Sequence, residues 1–282
     1  MMAEQAVQFS CEGENLLGIL HPAAGNSDIG VVIIVGGPQY RIGSHRQFVH
    51  LARTLAREGT ATLRFDYRGI GDAGGALPGF ENLGPDITAA IEALKRHVPG
   101  VRRVVLWGLC DAASAILLDG VHHPDVCAIV VANPWARTEA GQARTYLKHY
   151  YLRRLATPAF WKKLFSGRLS LRRAAGGLAE NMAATQRKGE EDAAPYPDRM
   201  LENLLQFAGP ILLILSDNDY TAREFEDYAK RSKTGRKALK KNTLTLVRLP
   251  RTDHTFSGNE GRRRVAGETT RWLAALASSR LA

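Results

Sequence analysis

The chain has 282 residues, 45% of them hydrophobic and 23% charged, with a formal net charge of +10. This length suits one large domain, or a core domain with an insertion, and can bury a substantial core without metals or disulfides. Three cysteines with no pairing pattern and no signal-peptide layout imply free thiols in the cytoplasm, and no apolar run reaches the ~20 residues that span a membrane. The positive balance would suit nucleic acid, but no binding motif or aromatic–basic stacking platform accompanies it, so nucleic acid is not an expected partner.

Taken in order, residues 7–11 and 16–20 are short, partly alternating apolar stretches around Gly13 and predict an antiparallel pair of edge strands. Residues 29–35 (IGVVIIV) form a β-branched run of the kind buried on both faces of a parallel sheet, ending at Gly36-Gly37-Pro38. A helix is expected over 47–58, closed by Gly59, then a strand over 60–66 and a glycine-rich loop. Asp86 is read as the cap of a helix reaching 97. Further strands are expected at 101–107, 126–132, 211–215 and 243–249, with a helix over 112–118. This alternation predicts an α/β fold with a doubly wound, mostly parallel sheet, whose functional loops gather at the carboxyl ends of the strands. Residues 136–207 break the alternation and are read as a helical lid inserted between core segments 1–135 and 208–282.

The sharpest chemical signal is Trp107-Gly108-Leu109-Cys110-Asp111-Ala112, between a buried strand and a helix. A nucleophile elbow puts its reactive side chain on a tight strand-to-helix turn, with small residues two before and two after it. Gly108 and Ala112 fill those places around Cys110. The helix start favours a thiolate and offers N–H groups to a developing oxyanion, whereas the Asp111 carboxylate beside the thiol opposes thiolate formation. The plain alternative is that Cys110 is a packed structural thiol, as Cys11 and Cys127, inside predicted strands, are expected to be. Ser114 is one turn into the helix and reads as a packing residue.

A nucleophilic thiol needs a base, and the base needs an orienting acid. His254, after the final strand, is the expected base, with His45 second. Asp219 in Ser216-Asp217-Asn218-Asp219 is the expected acid, with Asp217 second. The order nucleophile, acid, histidine is that of α/β-hydrolases. The backbone N–H of Asp111 is the expected first oxyanion donor. Because Pro38 lacks an N–H, Gln39 is the expected second. Arg41, His45 and Arg46 in the same loop could meet an anionic substrate group. No metal-ligand spacing and no nucleotide-binding glycine pattern is present, so neither metal nor cofactor is expected.

Within the lid, Arg and Lys recur from Arg137 to Arg173 with Glu139 as the one acid. Aromatic residues are interleaved, Tyr150 and Trp161 among them. Such a surface could hold an acyl chain while its bases meet a phosphopantetheine or coenzyme A-type group, an acidic carrier or an anionic membrane surface. A solvated face is the bland alternative.

Residues 36–46 (GGPQYRIGSHR), Arg64-Phe65-Asp66-Tyr67-Arg68-Gly69, Gly108-Leu109-Cys110-Asp111 and the lid run from Tyr146 to Phe165 resemble the exosortase A system-associated hydrolases, type 1, among the serine aminopeptidase-like α/β-hydrolases. The resemblance covers nearly the whole chain and implies an α/β-hydrolase fold in a bacterium that makes exopolysaccharide and sorts proteins through an exosortase. Cysteine stands where the wider superfamily has serine, as in dienelactone hydrolases and polyhydroxyalkanoate synthases, which disfavours peptidase action. The expected activity is hydrolysis of an acyl ester or thioester. Acyl transfer from the same acyl-enzyme, or a non-catalytic binding module, are the competing readings.

Overall fold

The computed structural model describes residues 3–25, 27–37, 39–136 and 194–278. Strand β1 (Gln5–Cys11) turns back through Glu12 and Gly13, both at positive φ, onto β2 (Glu14–His21) as a two-residue hairpin. Strand β2 pairs antiparallel with β4 (Ala61–Asp66). From there the sheet is parallel: β4 beside β3 (Ile29–Ile34), then β5 (Arg103–Leu109), β6 (Val126–Ala132), β7 (Ile211–Ser216) and β8 (Leu244–Leu249). The mostly parallel, doubly wound sheet expected from the sequence is therefore present.

The β-branched runs are buried throughout because both faces of the sheet are covered. On one face Val32, Ile34, Leu63, Phe65 and Leu106 pack with Ile87 and Leu94 of α2 (Gly84–His97), Ile116 of α3 (Asp111–Leu118), and Met200 and Leu204 of α4 (Tyr196–Gln206). On the other, Val31, Ile33, Val105 and Trp107 pack with Phe48 and Leu55 of α1 (Gln47–Arg57) and with Val265 and Leu273 of the last helix, Asn259–Ser278. Alternate residues of one strand thus feed opposite cores. Each fully buried aliphatic side chain contributes about 1.5–3 kcal/mol relative to exposure. Helices α5 (Tyr220–Arg231) and α6 (Lys233–Ala238) connect β7 to β8, and Asn259–Ser278 is α7.

Three expectations change. Strand β5 runs two residues beyond 107, so the sheet carries Gly108 and Leu109 to the brink of Cys110. Helix α2 starts at Gly84, and Asp86 does not cap it: the carboxylate is buried and accepts from the Arg68 backbone N–H (2.9 Å) and guanidinium (2.8 Å). Helix α4, expected within the insertion, buries Met200, Leu201 and Leu204 in the core of the sheet. The chain divides into two compact units, Met1–Ala136 with Tyr196–Ala282, and Arg137–Pro195. Residues 137–193 of the expected lid, Tyr150 and Trp161 among them, lie outside the described residues.

Candidate active site

Cys110 sits between β5 and α3 at φ 64°, ψ −126°, a conformation that L-residues rarely adopt and that a tight elbow imposes. Sheet and helix hold it there. Its N–H donates to the Ala132 carbonyl of β6 (3.0 Å), and its carbonyl accepts from the N–H groups of Ser114 (3.2 Å) and Trp135 (3.3 Å). The close approach explains Gly108: a Cβ there would lie 2.8 Å from the Ala112 carbonyl oxygen and 2.7 Å from Ile116 Cδ1. Cys110 is half-buried, whereas Cys11 is buried, and burial pushes the Cys11 thiol up to about 11.

Asp219, after β7, is buried and in extended conformation. It caps α5, accepting from the N–H groups of Thr221 (3.0 Å) and Ala222 (3.3 Å). Its Oδ2 also accepts from His254 Nδ1 at 2.7 Å. The Cys110 side chain also hydrogen-bonds to this imidazole. His254 is pushed up to about 10: burial works against the charged ring but is outweighed by the bonds to Asp219 and Cys110 and by their charges. The structure thus brings Cys110, His254 and Asp219 together. Asp217 is exposed and His45 is exposed in its own loop, so neither alternative joins the cluster. Asp253 hydrogen-bonds to the Ser257 N–H (2.9 Å) as a turn former.

The expected Gln39 donor is corrected. Gly37 at φ 65° folds the loop back on itself, and the Gln39 N–H is spent on the Gly37 carbonyl at 2.7 Å. Asp111 instead ties this loop to the elbow: its Oδ1 accepts from the N–H groups of Gly37 (2.6 Å) and Ala112 (2.9 Å). Burial raises the Asp111 carboxyl in opposition to those two bonds. Gly36 is needed where loop and elbow meet, since a Cβ there would come within 2.2 Å of the Leu109 carbonyl oxygen.

Arg41 is also reassigned. Its N–H donates to Asp66 Oδ1 (2.6 Å), and its guanidinium pairs with Asp66 Oδ2 and with Asp72 (2.6 Å), so it anchors the loop rather than presenting a free cation. Arg64, buried in β4, donates Nε to His21 Nε2 (2.9 Å) and Nη1 to the Arg41 carbonyl (3.1 Å), fastening the same loop from below. Burial, then the Arg64 charge, lowers His21 to about 4, which leaves its ring neutral and able to accept. His45 and Arg46, at φ 54° and 59°, are exposed.

The sequence reading missed Asn133. Buried at the end of β6, it donates Nδ2 to Ser216 Oγ (3.1 Å) and to the His254 carbonyl (3.2 Å), and its Oδ1 accepts from the Ser216 N–H (2.8 Å). It therefore ties the ends of β6 and β7 to the histidine loop. The signal was a lone amide directly after a fully apolar strand, at the sheet edge where functional groups gather. Among the described residues no group of three or more His, Cys, Asp or Glu could hold a metal ion. No helix among them is long and apolar enough to cross a membrane.

No curated protein matches the chain. Solved structures that are similar include an esterase of Pyrococcus furiosus, with TM-score 0.65 and 16% identity over 97% of this chain and 91% of that one. A thermophilic esterase from Thermogutta terrifontis gives TM-score 0.59 and 17% identity over 97% of this chain and 100% of its own. Est1E from Butyrivibrio proteoclasticus, solved with ferulic acid bound, gives 0.61 and 16% over 96% and 98%. At these identities the likeness is one of fold. A family model, that of the Alpha/beta hydrolase family, matches residues 31–268. With the eight-stranded sheet and the strand-to-helix elbow at its carboxyl edge, that match shows that the chain belongs to the Alpha/beta hydrolase family.

Proposed function

We propose that the chain hydrolyses an acyl ester or thioester through a covalent acyl-Cys110 intermediate. The observation that carries this reading is the imidazole of His254, bonded to the buried Asp219 carboxylate at 2.7 Å and to the Cys110 side chain. The thiolate of Cys110 attacks the acyl carbon while the charged His254 stands beside it. The tetrahedral oxyanion is met by the backbone N–H of Asp111 at the positive end of α3. On collapse the leaving thiolate or alkoxide takes the His254 proton. His254, now neutral, accepts a proton from water, the hydroxide attacks the thioester carbonyl, and the acid departs as the Cys110 thiolate reforms. Asp219 keeps the ring in the required tautomer.

The similar esterases of known structure support ester-type chemistry, and the resemblance in residues 36–46 supports a role beside exosortase and exopolysaccharide systems. His45 and Arg46 are the substrate-facing candidates of the first loop, and Tyr150 and Trp161 those of the insertion, whose basic run also suits an anionic membrane surface. A free thiol nucleophile fits a reducing, cytoplasmic compartment. Transfer to a sugar hydroxyl or amine would use the same acyl-enzyme, and the basic, aromatic sequence between Arg137 and Arg173 is what favours a bound acceptor. Release of free acid from a panel of acyl-thioesters and aryl esters, with and without added acceptors, tests the reading in wild type and Cys110→Ala. Acid release lost in Cys110→Ala and indifferent to acceptors supports hydrolysis, acceptor-dependent product supports transfer, and release that survives Cys110→Ala refutes both.

A further inference from the structure

In the loop after β3, the N–H that faces the nucleophile elbow is already taken. The N–H groups of Gln39, Arg41, Gly43 and Ser44 are spent on the Gly37 carbonyl, Asp66, the Tyr40 carbonyl and the Gln39 side chain. The Gly37 N–H instead points across to the start of α3, where Asp111 Oδ1 accepts it at 2.6 Å together with the Ala112 N–H at 2.9 Å. The fit is close: a Cβ on Gly36 would lie 2.5 Å from Asp111 Oδ1 and 3.3 Å from the Ala112 nitrogen. Loop, carboxylate and helix start therefore converge on one oxygen atom, borne by the residue that follows Cys110. Backbone N–H groups hold that oxygen, and among the described residues no cationic side chain forms an ion pair with it.

A tetrahedral intermediate on Cys110 carries a negative charge on oxygen beside the N–H of Asp111, and a second N–H from a neighbouring loop strengthens its binding. A carboxylate oxygen seated on the Gly37 N–H stands in for that oxyanion, with the same charge and the same kind of backbone donor. Left in place, it denies the intermediate its second donor and sets like charge against it. Burial, working against the two bonds, also holds the Asp111 carboxyl above its ordinary value, so its charge is incompletely compensated. Gly37, Cys110 and Asp111 are each half-buried, so none of the three is sealed in the core. We propose that the Asp111 carboxylate is a resident occupant of the oxyanion hole, covering the Gly37 N–H as second donor, and that the substrate carbonyl displaces it during acylation. The proposal rests on the acyl-Cys110 reading and adds a displacement to it. As the Cys110 thiolate bonds to the acyl carbon, the carbonyl π pair moves onto oxygen, which takes the N–H groups of Gly37 and Asp111. The Asp111 carboxylate rotates toward water and exchanges no atom.

Alkylation separates thiol reactivity from the oxyanion hole, because iodoacetamide needs a thiolate but forms no oxyanion. On the full chain, the rate of Cys110 acylation by an aryl ester is divided by its rate of alkylation by iodoacetamide. Both are mapped by peptide mass in wild type, Asp111→Asn and Asp111→Ala. Asp111→Ala uncovers the Gly37 N–H and raises the ratio on the order of tenfold, part of the about 100- to 1000-fold that one oxyanion donor is worth. Asp111→Asn keeps an amide oxygen for that N–H and gains less. A ratio that falls or stays level in Asp111→Ala overturns the proposal and leaves the carboxylate a tie between loop and elbow. Equal gains in both variants assign the effect to charge alone and overturn it too. A crystal structure of wild type with an aryl trifluoromethyl ketone added to Cys110 gives a readout independent of how the variants fold. The adduct oxygen is expected on the Gly37 N–H, with the Asp111 carboxylate moved away. A Gly37 N–H that still donates to Asp111 in the adduct overturns the occupancy. Alkylation without acylation by any ester or thioester, in every variant, sinks the hydrolase reading instead and leaves the ketone adduct to decide the occupancy.

Discussion

Replacing Asp219 separates two duties that one carboxylate performs. It caps α5 through Thr221 and Ala222, and its Oδ2 accepts from the His254 ring. Asp219→Asn keeps an oxygen for the cap but sets an amide N–H against the ring N–H, forcing the wrong tautomer. The same change in the serine-protease triad lowers the rate on the order of 10⁴-fold, and a loss of that size is expected here. Asp219→Ala loses the cap as well, at about 0.5–2 kcal/mol, so it should unfold more readily than the asparagine variant. In a domain of this size that gap corresponds to about 2–4 °C in Tm per kcal/mol. The charge adds a dependence on pH. His254 holds its proton more tightly in the folded chain, at about 10 against 6.5 for the free side chain. Its contribution is fully present below about pH 6.5 and is lost as pH rises through about 10. Urea unfolding at constant ionic strength should therefore show wild type losing stability across that window relative to Asp219→Asn. Wild-type acylation rates in the asparagine variant, or equal stabilities for Asn and Ala, would refute the dual role.

Gly36→Ala places a Cβ 2.2 Å from a backbone oxygen and should cost about 1–3 kcal/mol with loss of activity, read by thermal unfolding and ester turnover. Asn133→Ala leaves the buried Ser216 N–H without its acceptor, at about 1–3 kcal/mol, and frees the His254 carbonyl. Its kcat should fall more than its KM changes, and rescue by Asn133→Gln would argue against such strict placement of the amide. Asp66→Ala removes the acceptor for the Arg41 N–H and guanidinium. Because Asp72 still pairs with Arg41, the loss should lie at the lower end of the about 3–5 kcal/mol typical of a broken buried pair, checked by urea denaturation.

How far the sequence could be read depended on whether a signal was local. The run Ile29–Ile34 announces a strand covered on both faces because every residue in it is apolar, and the structure buries all six. The Gly108–Ala112 spacing marks the elbow because the backbone contact at Gly108 admits no Cβ. Hydrogen bonds that close across loops were not legible. Gln39 follows Pro38 and reads as free to donate, yet the positive φ of Gly37 turns its N–H inward. Arg41 reads as a cation for substrate because its partners, Asp66 and Asp72, lie 25 and 31 positions away in sequence. Helix α4 blends into the insertion because its polar face dominates a short stretch, although Met200, Leu201 and Leu204 seat it against the sheet.

The central claim is that acyl groups pass through the sulfur of Cys110. Intact-mass measurement after a brief acid quench, with an activated aryl ester as acyl donor, addresses it directly. The account predicts a single added acyl mass on wild type, mapped to the peptide containing Cys110, absent in Cys110→Ala and slow to form in His254→Ala. Turnover of the same ester with no adduct at any quench time, or an adduct that persists in Cys110→Ala, would contradict it.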